Sequence, residues 1–404
     1  MPRHYTDLPA RPGGGVRRAR MLIQPAYDSR TRRSFAAGAP WGAGADALAR
    51  VAAPPARRAL RIGLLVPTSG AAGIWGPSTI ACARLAAHEL NRGGGVLGRE
   101  VQLQVVDAAS ENRALPQQSA RLLREHAIDA VVGMHLSSVR KALLPVIGGR
   151  LPYVYTPLYE GGEHHPGVFT LGETPAHQLV PALAALSESR TPVRWALIGN
   201  DYVWPRVSHR HARRTLQRLG CEVVHESFLP LGNEDYEPTV AQLAASGAQA
   251  VLLSLIGQDA IDFNRVFAAR RLGGRIRRLS CAIEENELLA LDPDCTEELY
   301  VAGSYFAGLD TDANLAFKAR YRALLGPRAP TLNALGQSTY EGVHFLGALL
   351  ALDGRQPARN EPLPFRSARG AVWRGNDSLI CPVYLARADG HALVVTRTLS
   401  PRTD

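Results

Sequence analysis

The strongest constraint on the fold is an alternation of short apolar runs with amphipathic segments. The first run, 62–66, is continuously apolar, as expected for a strand that is covered on both faces. A segment with one apolar stripe follows from 77 to 90 and ends at three consecutive glycines, 93–95, which is typical of a helix. Short connections between such units favour a parallel, doubly wound sheet.

The alternation of predicted strands and helices continues along the chain. It forms two series, one before and one after about residue 174. Strands are predicted at 101–106, 130–133, 152–155, 193–198, 222–228, 250–255, 278–281 and 300–304, with short strands at 371–373, 380–386 and 392–396. Helices are predicted at 116–125, 138–147, 205–219, 236–245, 259–270, 314–325 and 334–350. The sequence therefore predicts an α/β protein with two doubly wound parallel-sheet lobes. Ligands of such sheets bind beyond the carboxyl ends of the strands, so the natural site is the cleft between the lobes.

The net charge of +10 belongs mostly to the first sixty residues. That segment has eleven arginines against three acids, a charge of +8, so the other 344 residues carry only +2. Proline and glycine interrupt the segment too often for the short helices of a helix-turn-helix headpiece. A nucleic-acid partner is therefore not predicted.

Residues 1–58 are predicted to be a disordered basic leader. Arg32 and Arg33, with Phe35 two residues on and a mildly apolar run up to Ala53, resemble a twin-arginine export signal. Asp46 interrupts the apolar run. This pattern favours a periplasmic location, and a cytoplasmic protein with an uncleaved leader stays as the alternative.

Other classes of protein lack support in the sequence. No apolar run approaches the roughly 20 residues that a transmembrane helix needs. The five cysteines are scattered and form no CxxC pair, which argues against a zinc ribbon or a disulfide framework. There is no phosphate-binding loop and no nucleophile elbow, and the two histidine pairs have poor spacing for a metal ion. We therefore expect no enzymatic activity, no cofactor and no metal.

Hydroxyl groups and aromatic rings follow four of the predicted strands. The segments are 67–70, 133–138, 153–161 and 199–206. Stacking walls with a few hydroxyl groups suit a small, flat, polar ligand, because a buried amide must have its hydrogen bonds satisfied. Simpler interpretations also exist: Ser138 as a helix N-cap, and Tyr202 with Trp204 as packing at a helix start.

Several segments resemble the type 1 periplasmic-binding-protein family, which includes Leu/Ile/Val-binding proteins. These segments are 63–70, 91–99, 137–146, 155–161, 199–206, 229–232, 284–285 and 305–306. Within the family they look most like the short-chain amide and urea branch, which holds an amide-sensing regulator and the substrate-binding subunits of urea ABC transporters. The resemblance implies two lobes joined by a hinge of three segments. The implied bounds are 59–174 plus 304–352 for the N-terminal lobe and 175–303 plus 353–404 for the C-terminal lobe.

The resemblance also implies a set of ligand-binding residues. Ser137, Tyr155, Thr156 and Tyr202 match positions that hold the ligand in relatives. Weaker candidates on loops that face the cleft are Ser69, Gly257 and Glu284. His135 stands where amide-sensing relatives have a phenol, and the turn after Tyr155 looks one residue longer than usual.

Residues 284–287, with three glutamates, have two interpretations. The sequence is typical of a solvated helix start that the helix dipole stabilises. The alternative is a carboxylate that binds the ammonium group of an amino acid.

Two functions fit these features best. One is the substrate-binding component of an ABC transporter, which captures a short-chain amide, urea or an amino acid and delivers it to a permease. The other is a cytoplasmic amide-sensing regulator that controls a protein partner. A homodimer is compatible with both. An enzyme that uses the cleft is the third hypothesis.

Overall fold

The computed structural model of the protein describes residues 58–110, 112–188, 194–352, 362–374 and 379–399. Their strands form two open sheets of five and seven strands and a separate two-stranded pair. We call each large sheet, with the helices packed on it, a lobe. The predicted fold class is confirmed. Residues 1–57, which hold the twin-arginine stretch, lie outside the described residues.

The sheet of the first lobe is wholly parallel, in the order β2-β1-β3-β4-β5. β1 has neighbours on both sides and is buried along almost its whole length, whereas β2 lies at the edge and exposes several side chains. This difference explains why β1 is continuously apolar from residue 62 to residue 66. The five strands are β1 (Leu60–Val66), β2 (Val101–Asp107), β3 (Ala130–Gly133), β4 (Tyr153–Tyr155) and β5 (Val168–Thr170).

The sheet of the second lobe has the order β14-β13-β10-β9-β8-β6-β7. Its five earlier strands pair in parallel, and the last two add an antiparallel hairpin at one edge. These strands are β6 (Arg194–Asn200), β7 (Glu222–Leu229), β8 (Ala250–Ser254), β9 (Arg277–Ser280), β10 (Leu299–Gly303), β13 (Val383–Asp389) and β14 (Ala392–Leu399). The separate pair is β11 (Val372–Trp373) and β12 (Leu379–Ile380).

Helices connect most of the consecutive strands. They are α1 (Gly76–Arg92), α2 (Leu115–Arg124), α3 (Ser137–Ile147), α4 (Leu179–Ser187), α5 (Val203–Arg218), α6 (Glu237–Ala245), α7 (Gly257–Ala269), α8 (Glu285–Leu289), α9 (Asp312–Leu325) and α10 (Ala334–Leu350). No helix among the described residues is long and apolar enough to cross a membrane.

α10 forms the centre of the first lobe although it follows β10 of the second lobe in the chain. Its residues are buried from Leu335 to Gly347, and it packs against α1, β3 and β4. The approach to β4 is close: a side chain at Gly342 would place its Cβ 2.4 Å from the Cγ2 atom of Thr156. A glycine is therefore required at this position.

The described strands and helices alternate between the lobes so that the chain passes from one to the other three times, and a buried arginine connects these passages. The Arg369 guanidinium donates to Glu173 of the first passage, at 2.8 Å, and to the hydroxyl of Ser304 in the second. It also binds Glu341 of α10 at 2.9 Å. One cation on the third passage thus joins all three connections near the cleft.

Most predicted elements are confirmed to within a few residues, and β5 and α4 were not predicted. β5 has only three residues, and α4 is so uniformly apolar that its sequence shows no helical stripe. The helix start expected at 284–287 is confirmed, since α8 begins there and runs for five residues.

The lobe bounds given above stay a prediction. Trp373, in the segment assigned to the second lobe, packs on Phe169 and Phe345 of the first lobe at ring distances of 5.9 and 5.3 Å. β13 and β14 of the same segment join the second sheet.

Candidate functional site

A cavity lies between the lobes at the carboxyl ends of the strands. Its empty volume, including the part open to solvent, is about 380 Å³. Most of the side chains that line it are apolar or aromatic, among them Trp75, Met134, Leu136, Trp204, Ile256 and Leu335. The lining is therefore chemically suited to a small molecule with a largely apolar body.

The wall on the first lobe is a hydrogen-bonded group of buried rings after β3 and β4. His135 Nε2 lies 2.9 Å from the hydroxyl of Tyr153, and Nδ1 lies 3.1 Å from the carbonyl of Leu136. The Tyr155 hydroxyl donates to the carbonyl of His135 at 2.7 Å. Burial lowers the pKa of His135 to about 4, so its ring is neutral at pH 7. Both ring nitrogens are engaged inside the protein, so this histidine shapes the wall.

α3 begins at this wall without a capping side chain. Its N-cap residue is Leu136, and Ser137 is the first helical residue, so the expected N-cap at Ser138 is wrong. Among the described residues nothing accepts a hydrogen bond from the backbone N–H groups of Ser137 and Ser138. The Ser137 hydroxyl lies 3.5 Å from the hydroxyl of Tyr155. These donors at the positive end of a helix suit a ligand oxygen.

The wall on the second lobe follows β6. Tyr202 and Trp204 both line the cavity, and their rings lie 6.3 Å apart. Asn200, at the end of β6, donates to Asp259 at 2.6 Å and accepts from the backbone of Ile256 at 3.1 Å. This buried pair holds the β6 exit against the start of α7, and so orients the aromatic side chains that follow.

Residues 284–287, which we call the latch, reach from the second lobe towards the first. Glu284 is the N-cap of α8 and forms a capping box with Glu287. All three glutamates of the latch are buried, at 6%, 8% and 0% exposure. The helix start is thus confirmed, but the expectation that it is solvated is wrong, because Trp75, Ala334 and Ala307 lie against these side chains.

The remaining predicted site residues lie elsewhere. Thr156 is fully buried against α10 and lines a second, more polar cavity at the hinge. Ser69 is exposed and donates to Asp107 at 3.0 Å. Gly257 has a φ of +51° and packs on the backbone of Ala71. The structure thus brings together His135, Ser137, Tyr155, Tyr202 and Glu284 around the first cavity.

Sequence reasoning missed an important aromatic wall residue. Trp75 lies on a one-turn 3₁₀ helix after β1, and its indole N–H donates to Glu287 at 2.6 Å. A large ring between two glycines shortly after a strand exit was a signal that could have identified it. Met134, Leu136 and Leu335 carry no such signal, because apolar residues at these places are usual in any core.

No lysine or arginine belongs to the described lining of the cavity. Arg140 lies behind Tyr155, with its guanidinium carbon 4.7 Å from the ring centre. It pairs with Glu160 and Glu163 at 2.8 and 3.1 Å and is almost completely buried. Its charge is therefore neutralised inside the first lobe. Within the described residues, no group of three or more His, Cys, Asp or Glu side chains is placed to hold a metal ion.

Residues 59–392 match the family model described as periplasmic binding protein. The chain belongs to this family. The match includes the cavity and both lobes except for most of β14, and it agrees with the expectation of a binding protein that catalyses no reaction.

Curated relatives of this periplasmic binding protein match over part of their length. Leu/Ile/Val-binding protein homolog 8 of Brucella suis is 22% identical over 235 residues, which are 54% of this chain and 57% of the relative. Homolog 7 of Brucella melitensis is 24% identical over 224 residues, 52% of this chain and 56% of the relative. The chain thus spans about half the length of the curated relatives it matches.

Solved structures with the same fold cover most of the chain. A solute-binding protein of an ABC transporter from R. palustris, in complex with benzoate, has a TM-score of 0.73 at 18% identity. It covers 85% of this chain and 97% of its own. The substrate-binding protein of a branched-chain amino acid transporter from Streptococcus pneumoniae, in complex with isoleucine, has a TM-score of 0.72 at 16% identity, with 84% and 99% covered. At these identities the likeness is one of fold, and the amide and urea branch stays a prediction.

Proposed function

We propose that this protein is the periplasmic substrate-binding component of an ABC transporter, and that it captures a small planar carboxylate or carboxamide with a compact apolar body. The observation that supports this most is the cavity closed between two lobes, with free donors at one wall and aromatic rings around it. Closure of the lobes over the ligand would create the surface that a permease recognises.

The planar head group is proposed to bind at the start of α3. An sp² oxygen there would accept from the backbone N–H groups of Ser137 and Ser138 and from the Ser137 hydroxyl. Burial without a partner makes such donors unfavourable, by about 1–3 kcal/mol each, so a ligand oxygen would stabilise the closed form. A carboxylate and a carboxamide both supply this oxygen.

The body of the ligand is proposed to lie between Trp75, Tyr202 and Trp204. These rings line the cavity from both lobes. Urea has no apolar body to bury against them, so amides with an alkyl or aromatic group fit better than urea. Benzoate, the ligand of the R. palustris protein, has the same combination of planar head and ring.

An amino acid fits this cavity less well because its ammonium group needs a carboxylate. Glu284 accepts from the backbone of Ala334 at 2.7 Å and takes part in the capping box of α8. Burial and the neighbouring glutamates raise its pKa well above the usual value, which favours the neutral acid.

Thermal unfolding of the full chain with single ligands tests the proposal. We expect benzoate, benzamide and butyramide to raise the melting temperature, and urea and isoleucine to have little effect. A ligand at 100 times its dissociation constant stabilises by about 2.7 kcal/mol, which gives a clear shift. Stabilisation by isoleucine alone would overturn the ligand class, and no response to any of the five would contradict the proposed chemistry of the cavity. Detection of the protein in the periplasmic fraction tests the location.

A further inference from the structure

Every side chain of the latch forms a hydrogen bond that depends on closure of the cleft or on the hinge. The indole of Trp75 donates to Glu287, and the backbone of Ala334 donates to Glu284. Asn286 contacts the carbonyl of Ile74 at 3.4 Å and accepts from Asn333 at 2.7 Å.

The fourth latch residue is tied to the hinge. The backbone N–H of Ala307, on the second passage between the lobes, donates to Glu285 Oε1 at 2.6 Å. The other carboxyl oxygen of Glu285 is buried and has no hydrogen-bond partner among the described residues. A proton on that oxygen would remove the charge that burial disfavours.

Three carboxyl groups within four residues are thus buried where the latch meets the first lobe and the hinge. In the closed form they are almost inaccessible to water, and they also face one another. Separation of the lobes would break the bonds from Trp75 and Ala334 and return water to these carboxyl groups. Water favours the ionised form of a carboxyl group, and burial next to like charges favours the protonated form.

We propose that closure of this cleft takes up protons at the latch, so that capture of ligand is stronger in mildly acidic surroundings than in alkaline ones. The proposal deepens the function given above, since it regulates the same site and rests on the same closure.

The pKa values of the latch glutamates in the closed form agree with proton uptake on closure. Burial raises the pKa of Glu285 to about 7 and that of Glu287 to about 8, and it raises the pKa of Glu284 well above its usual value. For Glu287, burial outweighs the hydrogen bond from Trp75, which favours the ionised form. A group whose pKa is higher in the closed form than in the open form binds a proton on closure at any pH between these two pKa values.

The surroundings of the latch do not supply enough positive charge to keep its carboxyl groups ionised in the closed form. Lys318 of α9 is the cation that acts on Glu285, while Glu173 adds negative charge near Glu284. The phenol of Tyr305 is also near Glu285. The groove outside Glu285 is lined by three further titratable or charged side chains: Tyr321, Arg322 and His391.

Ligand binding at pH 6 in two buffers of different ionisation enthalpy measures the proton uptake directly. Benzamide is the probe, because it does not titrate in this range, and the full chain is used. We expect uptake of at least about one proton per ligand bound. As the pH falls from 8, the affinity for benzamide should rise about tenfold per pH unit for each proton that is taken up. Zero uptake, or release of protons, would overturn the proposal.

Two variants separate the latch from other titrating groups, His391 included. Glu285→Gln keeps an oxygen for the Ala307 N–H and removes a titrating group, so proton uptake should fall by up to one. Glu222→Gln changes an exposed glutamate that pairs with Arg194, and it should leave uptake unchanged. Equal uptake in wild type and Glu285→Gln would contradict the role of Glu285.

A measurement without ligand keeps the inference distinct from the proposed function. Small-angle X-ray scattering of the ligand-free full chain at pH 5.5 and pH 8.5 reports the balance of open and closed forms. We expect a smaller radius of gyration at pH 5.5, and a smaller pH response in Glu285→Gln. No pH response in the wild type would overturn the proton-linked closure even if benzamide binds. A clear response without any bound amide or carboxylate would support the latch and contradict the ligand class.

Discussion

Two helix starts face the cavity from opposite lobes and are built in opposite ways. α3 begins after Leu136 without any capping side chain, and its first N–H groups are left free. α8 begins after Glu284 with a complete capping box, in which Glu284 and Glu287 satisfy each other's backbone N–H groups. Both starts follow a strand exit, where ligands of parallel sheets bind.

The difference shows how one local structure can serve two purposes. At α3 the donors remain available, so a bound oxygen completes the helix start. At α8 the capping box already satisfies backbone N–H groups at the helix start. The side chains of Glu287 and Glu284 accept hydrogen bonds from Trp75 and Ala334 of the other lobe. The uncapped start is suited to a ligand, and the capped start is suited to closure.

A negative charge at the α3 start should have the largest effect. In Ser137→Asp the new carboxylate would repel a bound carboxylate by about 4 kcal/mol at 4 Å with an effective dielectric constant of 20. We expect benzoate affinity to fall by about three orders of magnitude, measured by calorimetry, and benzamide affinity to fall less. An acid near the N-terminus of a helix stabilises it, so the variant should not be less stable than wild type. A loss of both fold stability and ligand affinity would contradict this explanation.

Removal of a charge at the α8 start should stabilise the fold in a pH-dependent way. The pKa of Glu285 is raised to about 7, so its ionisation opposes folding above that pH. Glu285→Gln should therefore be more stable than wild type by up to about 3 kcal/mol at pH 8.5. The difference should grow as pH rises from about 4.5 to about 7 and then stay constant. Thermal unfolding at four pH values measures it, and a difference that is equal at pH 5 and pH 8.5 would refute it.

Loss of the indole donor should weaken closure by a smaller amount. Trp75→Phe removes the hydrogen bond to Glu287 and leaves a buried acceptor without a partner, at a cost of about 2 kcal/mol. Ligand affinity should fall about 30-fold. Trp204→Phe is the matched control, since Trp204 lines the same cavity and has no hydrogen bond across the cleft among the described residues. A larger loss in the control would show that ring area matters more than the latch.

Ser138→Ala should have the smallest effect. Its backbone N–H stays in place, and its side chain does not line the described cavity. We expect ligand affinity and unfolding free energy to change by less than about 0.5 kcal/mol. A substantial loss of stability would mean that this hydroxyl supports the α3 start after all.

Much of the fold is readable from the sequence because burial in a parallel sheet leaves a local signal. β1 and β8 are almost entirely buried, and the sequence marks them by continuous apolar runs at 62–66 and 250–253. The edge strand β2 is less apolar, yet its position between two helices identified it. β5 is too short for a periodic pattern, so local sequence could not reveal it, whereas the acids of residues 284–287 indicated the start of α8.

The site was less predictable because its chemistry depends on contacts between distant parts of the chain. Glu287 is completely buried, but its cover comes from Trp75, more than 200 residues earlier. A run of acids after a strand usually lies in solvent, and nothing local indicates otherwise. Thr156 shows the opposite error, since it follows Tyr155 in the wall yet packs against α10. Tyr155 thus lies in the wall of the cavity, and the next residue, Thr156, lies in the core.

The position of α10 has a consequence for how the chain is synthesised. This helix is buried at the centre of the first lobe, but its first residue, Ala334, follows the last residue of β5, Thr170, by more than 160 positions. At translation rates of about 5–20 residues per second, the five-stranded sheet waits about 10–30 s for its central helix. During that interval the apolar face between β3, β4 and α1 has no permanent cover. A nascent chain of this protein therefore exposes a ready surface for a chaperone until the second lobe is almost finished.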